Sequence, residues 1–290
     1  MTLINAVILG IIQGLAEFLP ISSSGHLAIL EEVLKVKNAG MFFDVMLHLG
    51  TLVAIFIAYW SDIKKLVAEG IMIVRDAIIN FFRFFYNITH RQKPKSYIHI
   101  VHSPYRKFVM LIIVSTIPTG IIGVVFKDVV SSASSSLLIV GICLLITGII
   151  LLVSDVLPAG NKRPNQVGYT QAGIIGVVQG LATLPGISRS GSTITACLLC
   201  GFDKSFAVKY SFIMSIPAVL GAVVLELKDF AELTIEKTEL LYYGIGTLLA
   251  AIVGYICIKT MLVVVRGKKF RYFAYYCFVV GAFAIIWHIA

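Results

Sequence analysis

The sequence predicts an all-α polytopic membrane protein built as an inverted-topology repeat. Each half is expected to be one re-entrant helical hairpin plus three transmembrane helices. Three observations predict this. The 290 residues are 58% hydrophobic and only 13% charged, a composition suited to lipid rather than water. One stretch occurs twice: Gly10-Ile-Ile-Gln13-Gly14-Leu15-Ala16 returns as Gly176-Val-Val-Gln179-Gly180-Leu181-Ala182, and Ile21-Ser22-Ser23-Ser24-Gly25 returns as Ile187-Ser188-Arg189-Ser190-Gly191, at one constant offset. Third, the basic residues fall in alternate loops.

Six stretches hold the ~20 mostly apolar residues that a span needs: about 42–60, 108–126, 135–155, 205–227, 240–265 and 271–289. The stretches 2–34 and 171–200 differ, because each has Pro, Gly and several Ser near its middle. Broken backbone at membrane depth survives only where protein or a water-filled cavity satisfies it. Both are therefore expected to be hairpins with their tips in the bilayer. The start of the chain does not read as a cleavable signal: it lacks a basic n-region, and Gln13 and Glu17 interrupt the apolar run.

Loop charge sets the orientation. The 61–107 connection carries nine Lys/Arg against Asp62, Glu69 and Asp76. The 156–170 loop has Lys162 and Arg163, and the 266–271 turn has Arg266, Lys268, Lys269 and Arg271. These are expected inside. The acidic 228–239 loop and the short 127–134 turn are expected outside, with both termini. The first hairpin then enters from outside and the second from inside. Repeat one covers about 1–157 and repeat two about 168–290, in one membrane domain. Within the basic segment 61–107, residues 66–88 mix Ile and Phe with Arg75, Asp76 and Arg83, which suits a helix lying in the cytoplasmic interface. A seventh span is the alternative, but it places those charges in hydrocarbon.

The net charge of +9 reflects basic cytoplasmic loops, not nucleic-acid binding. The five cysteines lie in apolar stretches and suggest neither a zinc site nor a structural disulfide.

Where the two copies differ, they differ in reactive groups. Glu17, Ser23 and His26 are replaced in copy two by Thr183, Arg189 and Ser192. An ionisable residue in the membrane points to function, and Gln13 lies one turn before Glu17 on the same helix face. The bland alternative for this pair is a hydrogen bond to a neighbouring helix. In Pro20-Ile-Ser22-Ser23-Ser24-Gly25-His26, Pro and Gly end one helix and a Ser caps the next. The free N–H groups and hydroxyls there suit an anion. If the helix begins at the serines, the His26 imidazole can reach the hydroxyl of Ser22 or Ser23. The counterpart Pro185-Gly-Ile-Ser188-Arg189-Ser190-Gly191-Ser-Thr193 places a guanidinium at a polar tip, where it can bind phosphate bidentately. Its structural alternative is an ion pair with Glu17. Asp44 and His48, one turn apart at the outer start of the first full span, are candidates for metal ligands or rim contacts.

These two motifs resemble the bacterial undecaprenyl-pyrophosphate phosphatases of the bacitracin-resistance type, and the resemblance runs over essentially the whole chain. The (E/Q)xxxE element is Gln13 to Glu17, followed by P-x-S-S-x-G-H from Pro20 to His26. P-G-x-S-R-S-G-x-T runs from Pro185 to Thr193. The resemblance implies hydrolysis of undecaprenyl diphosphate to the monophosphate at the outer face of the bacterial cytoplasmic membrane, recycling the lipid carrier of cell-wall synthesis. It also implies dependence on a divalent cation, Mg2+ or Ca2+. With Gln13 at the first motif position, Glu17 and Asp44 are the metal candidates. The expected catalytic residues are Glu17, Ser23, His26 and Arg189. Gln13, Ser22, Ser24, Gly25, Ser188, Ser190, Gly191 and Thr193 are expected to bind substrate. Ser23, His26 and water all remain open as the attacking group. The partners are the isoprenyl diphosphate lipid and membrane lipids. The rival function is a polyprenyl-phosphate flippase using the same anion site.

Overall fold

The computed structural model describes residues 1–36, 40–158, 160–230, 237–267 and 269–289. The order is α1 (Leu3–Phe18), α2 (Ser23–Val33), α3 (Gly40–Ala58), α4 (Trp60–Thr89), α5 (Pro104–Val125), α6 (Lys127–Ser134), α7 (Leu137–Val156), α8 (Tyr169–Leu181), α9 (Arg189–Leu199), α10 (Lys204–Phe230), α11 (Lys237–Arg266) and α12 (Phe270–Ile289). No strand occurs among the described residues. Five helices are long and apolar enough to cross a membrane, or six if α3 and α4 count as one bent span. The six apolar stretches read from sequence become α3, α5, α7, α10, α11 and α12. Both Ser-bearing stretches become pairs of short helices, α1–α2 and α8–α9.

Several helix pairs pack lengthwise. α1 lies along α11, α8 lies along α5, and α7 lies along α12. The repeated glycines make the first two contacts possible. A Cβ at Gly10 would sit 2.4 Å from the Gly246 carbonyl oxygen, and one at Gly176 would sit 2.1 Å from that of Ser115. Only glycine lets the backbones approach this closely, the usual device of helix pairs in lipid. The core between the two hairpins is filled by Phe18, Leu111, Ile194, Tyr210 and Phe212.

Two differences from the sequence reading stand out. Residues 127–134, expected as a turn, form α6, with Asp128 in its first turn, where a carboxylate favours the helix dipole. The amphipathic segment is longer than expected. α4 bends 88° from α3 and exposes Val67, Ile71, Val74, Ile78, Phe81, Phe82 and Phe85 along one face. Its other face is tied to α5 by Arg106, which bonds Asp76 at 2.7 Å and Glu69 at 2.8 Å. Residues 231–236 of the acidic loop and Lys268 of the basic turn lie outside the described residues.

The predicted loops cluster at two ends. The Met1 amine meets Glu239 at the start of α11 (3.2 Å). At the other end, Lys107 lies over the Tyr169 ring, 3.3 Å from its centroid. There too Lys209 pairs with Asp62 (2.9 Å) and Arg271 with Asp155 (2.8 Å).

Candidate active site

Pro20 ends α1: the preceding Leu19 is extended (φ −71°, ψ 145°), as a residue before proline must be. Ser22 then takes φ 70°, left-handed backbone that is costly for a non-glycine residue and concentrates at functional sites. From there its hydroxyl caps α2 by accepting the Gly25 N–H (3.3 Å), with the Ser24 hydroxyl 3.4 Å away. The second tip repeats the device. Gly186 has φ 94°, Ser188 Oγ accepts the Gly191 N–H (3.1 Å), and Ser190 Oγ lies 3.4 Å from Ser188 Oγ. Thr147 on α7 pins this tip, donating to the Gly186 carbonyl (2.8 Å) and accepting from the Ser188 N–H (3.0 Å).

The tips abut. A Cβ at Gly25 would lie 3.0 Å from Gly186 Cα, and one at Gly191 would lie 3.1 Å from Pro20 Cβ. The Ser190 hydroxyl donates to the Leu19 carbonyl across the junction (3.4 Å). Thr193 faces inward, bonding the Arg189 carbonyl (2.8 Å) and the Ser211 hydroxyl (2.6 Å).

Around the junction the reactive groups collect on Glu17. Its Oε2 accepts from the Ser23 hydroxyl (2.6 Å) and from Gln13 Nε2 (3.2 Å). Its Oε1 pairs with the Arg189 guanidinium. His48 Nε2 stands 3.9 Å from Oε2. Its Nδ1 donates to the Asp44 carbonyl (2.8 Å), which fixes the ring. Asp44 itself is half-buried, one turn before His48 on α3. Gln13 is fully buried, and its Oε1 has no hydrogen-bond partner.

His26 stands apart from this cluster. Its Nδ1 meets the Ser22 carbonyl (2.8 Å), and its Nε2 meets the hydroxyl of Tyr276 on α12 (2.8 Å). This differs from the sequence expectation of an imidazole on a serine hydroxyl. In the first turn of α2, the carbonyl four residues back is the nearer acceptor. The break after α1 turns Ser23, not His26, toward Glu17, so the Glu17 carboxylate meets a serine, a guanidinium and the other imidazole, His48. Tyr276 escaped sequence reasoning altogether. A tyrosine in an apolar helix at the far end of the chain carries no local signal.

The sequence profile described as bacitracin resistance protein BacA matches residues 6–283. A protein of Halothermothrix orenii named undecaprenyl-diphosphatase is 42% identical over 286 residues, covering 99% of this chain and 98% of the relative. One of Methanosphaera stadtmanae with the same name is 41% identical over 284 residues, covering 98% and 97%. Undecaprenyl-diphosphatase 4 of Bacillus thuringiensis is 36% identical, covering 97% and 95%.

Proposed function

We propose a function from one premise: the chain belongs to the bacitracin resistance protein BacA family. It is an undecaprenyl-diphosphatase, a membrane hydrolase that releases undecaprenyl phosphate and inorganic phosphate from undecaprenyl diphosphate. The observation that carries this reading is the Ser23 hydroxyl, 2.6 Å from the Glu17 carboxylate, with the Arg189 guanidinium on the same carboxylate. A nucleophile, its proton acceptor and a phosphate-binding cation converge at one junction.

Phosphoryl transfer is mostly positioning and charge stabilisation. Ser23 Oγ attacks the terminal phosphorus and passes its proton to Glu17. The bond from phosphorus to the bridging oxygen breaks, and undecaprenyl phosphate leaves. Arg189, released from Glu17 as the carboxylate is protonated, turns both guanidinium nitrogens onto the phosphoryl oxygens. A water that has displaced the Tyr276 hydroxyl from His26 Nε2 then attacks the phosphoserine and gives its proton to His26, which releases it with the departing inorganic phosphate, while Glu17 returns a proton to Ser23 Oγ. Ser23 is favoured over His26 as the attacking group because its hydroxyl already sits on a proton acceptor, Glu17, whereas His26 stands apart from the Glu17–Arg189 pair with its nitrogens on Ser22 and Tyr276. Ser22, Ser188, Gly25 and Gly191 shape the tips. Ser24 and Ser190 complete the polar lining on which the diphosphate rests, whereas Thr193, expected to bind substrate, is fully buried with its hydroxyl on Ser211 and supports the tip from behind.

The family implies a divalent cation, Mg2+ or Ca2+. The unpartnered, buried Gln13 Oε1 beside the Glu17 carboxylate is the oxygen type a hard cation takes, so the residues fit. Gln13 and Glu17 would hold it, with Asp44 as the further candidate. When bound, it supplies positive charge to the diphosphate oxygens. No three His, Cys, Asp or Glu side chains cluster as a metal site among the described residues. This suits Mg2+, which takes one or two carboxylates and completes its shell with substrate phosphates and water.

The two halves form an inverted-topology repeat with re-entrant hairpins, repeat one over about 1–157 and repeat two over about 168–290. The site opens to the outer face, where both termini also lie. The shared offset of the tips, the reciprocal packing of α1 on α11 and α8 on α5, and the clustering of basic loops at one end support this reading. A site in the bilayer suits the substrate, since withdrawing a polyprenyl tail from hydrocarbon costs ~0.8 kcal/mol per CH2. A flippase would need no serine on a carboxylate. Phosphate release by the purified protein in detergent, where no second compartment exists, is the test. No release above a Ser23→Ala, Glu17→Gln control would refute the hydrolase.

A further inference from the structure

Tyr276 supplies the only side-chain contact to His26 from the second half of the chain among the described hydrogen bonds. Its hydroxyl is 2.8 Å from Nε2, and the two rings lie parallel within 5°, their centroids 5.5 Å apart. The other nitrogen fixes the proton positions. Nδ1 faces the Ser22 carbonyl at 2.8 Å, and a carbonyl only accepts, so Nδ1 carries the hydrogen. In the neutral ring Nε2 is then the acceptor, and the phenol must donate to it. His26 is held at both nitrogens, with 7% of its surface exposed, whereas Tyr276 is 43% exposed on the outward face of α12. The phenol therefore reaches into the site from the lipid-facing wall of the protein.

We infer that Tyr276 is a positioning residue for the phosphatase reaction: it holds the His26 ring as the Nδ1–H tautomer, with the Nε2 lone pair fixed on the phenol hydroxyl until a water takes that hydroxyl's place. This rests on the phosphatase reading above. It also gives α12 a part in the chemistry. Cys277, the next residue, is buried at 0% exposure with its sulfur 4.0 Å from the Pro20 carbonyl, so the register of α12 is set against the first tip. A ring held by two directed hydrogen bonds at opposite nitrogens keeps one orientation, and base catalysis depends on that geometry before it depends on basicity.

The test is Tyr276→Phe, which keeps the ring and the lipid-facing surface and removes only the hydroxyl. Two readouts are taken on purified protein in detergent. The first is steady-state hydrolysis. With one neutral hydrogen bond lost, kcat should fall by about fivefold while KM stays within about twofold. In a His26→Ala background the same change should cost nothing further. The second readout does not use activity: carbethoxylation of His26 by diethyl pyrocarbonate, followed by peptide mass spectrometry. The freed Nε2 lone pair should react several times faster in Tyr276→Phe than in the parent. Parent-like kcat together with a parent-like modification rate overturns the inference. A fall in kcat of the same size in the His26→Ala background also overturns it, because the hydroxyl would then act elsewhere. Full activity of His26→Ala alone would instead count against the phosphatase scheme, while the modification rate would still decide whether Tyr276 holds the imidazole.

Discussion

Ser23 and Glu17 are six residues apart in sequence and 2.6 Å apart in space, joined across the break between α1 and α2. The break makes this contact. In a continuous helix, positions six apart face different sides. Here Pro20 ends α1 and the left-handed Ser22 starts α2 in a new direction, so the hydroxyl folds back onto the carboxylate.

Ser23→Ala should abolish turnover while leaving the fold intact, because the proposed scheme makes its hydroxyl the attacking group. Glu17→Gln should lower kcat by roughly 10²–10⁴-fold, the usual contribution of a general base. Rapid quench of the parent enzyme with radiolabelled substrate should trap label on Ser23. A Ser23→Ala enzyme that keeps a tenth of parental kcat would remove the serine from the scheme.

Arg189→Lys should lower kcat/KM by about 10²-fold, since an ammonium keeps the charge but not the two parallel donors. Size-exclusion behaviour should remain that of the parent. Near-parental turnover would show that a point charge suffices.

Gly25→Ala tests the meeting of the two tips. The added methyl would sit 3.0 Å from Gly186 Cα, against backbone that cannot swing aside. Overpacking of this kind costs about 1–3 kcal/mol. The variant should melt earlier and lose activity together, because the strain falls on the junction that holds Arg189 near Glu17. Unchanged melting and unchanged activity would mean that the tips are looser than their contacts imply.

Sidedness follows from loop charge. In a background without native cysteines, Ser24→Cys should react with an impermeant thiol reagent added outside intact cells. Lys95→Cys, in the basic connection, should react only after the membrane is opened. Labelling of Lys95→Cys from outside would invert the topology and move the site to the inner face.

Where the apolar spans lie, that two polar breaks correspond at one offset, and which side chains those breaks carry were all legible in the sequence. These are local properties. Apolar runs, prolines, glycines and capping serines act through the backbone of their own segment, and a repeat preserves them in order. The α6 helix was the local exception, too polar and too short to announce itself. Tertiary structure decided the partners. Glu17 and Arg189 lie in opposite halves of the chain, and the alternatives of ion pair and phosphate ligand for Arg189 could be seen together only once the tips met. Which histidine faced the carboxylate was likewise beyond reach. His26 shares the serine motif yet turns to Tyr276, while His48, on a different helix, stands 3.9 Å from Glu17. The direction of a side chain at a helix start depends on the angle at which the chain re-enters the helix. Packing of α12 and α3 against the first tip fixes which neighbours it meets there, and no spacing within the motif encodes either.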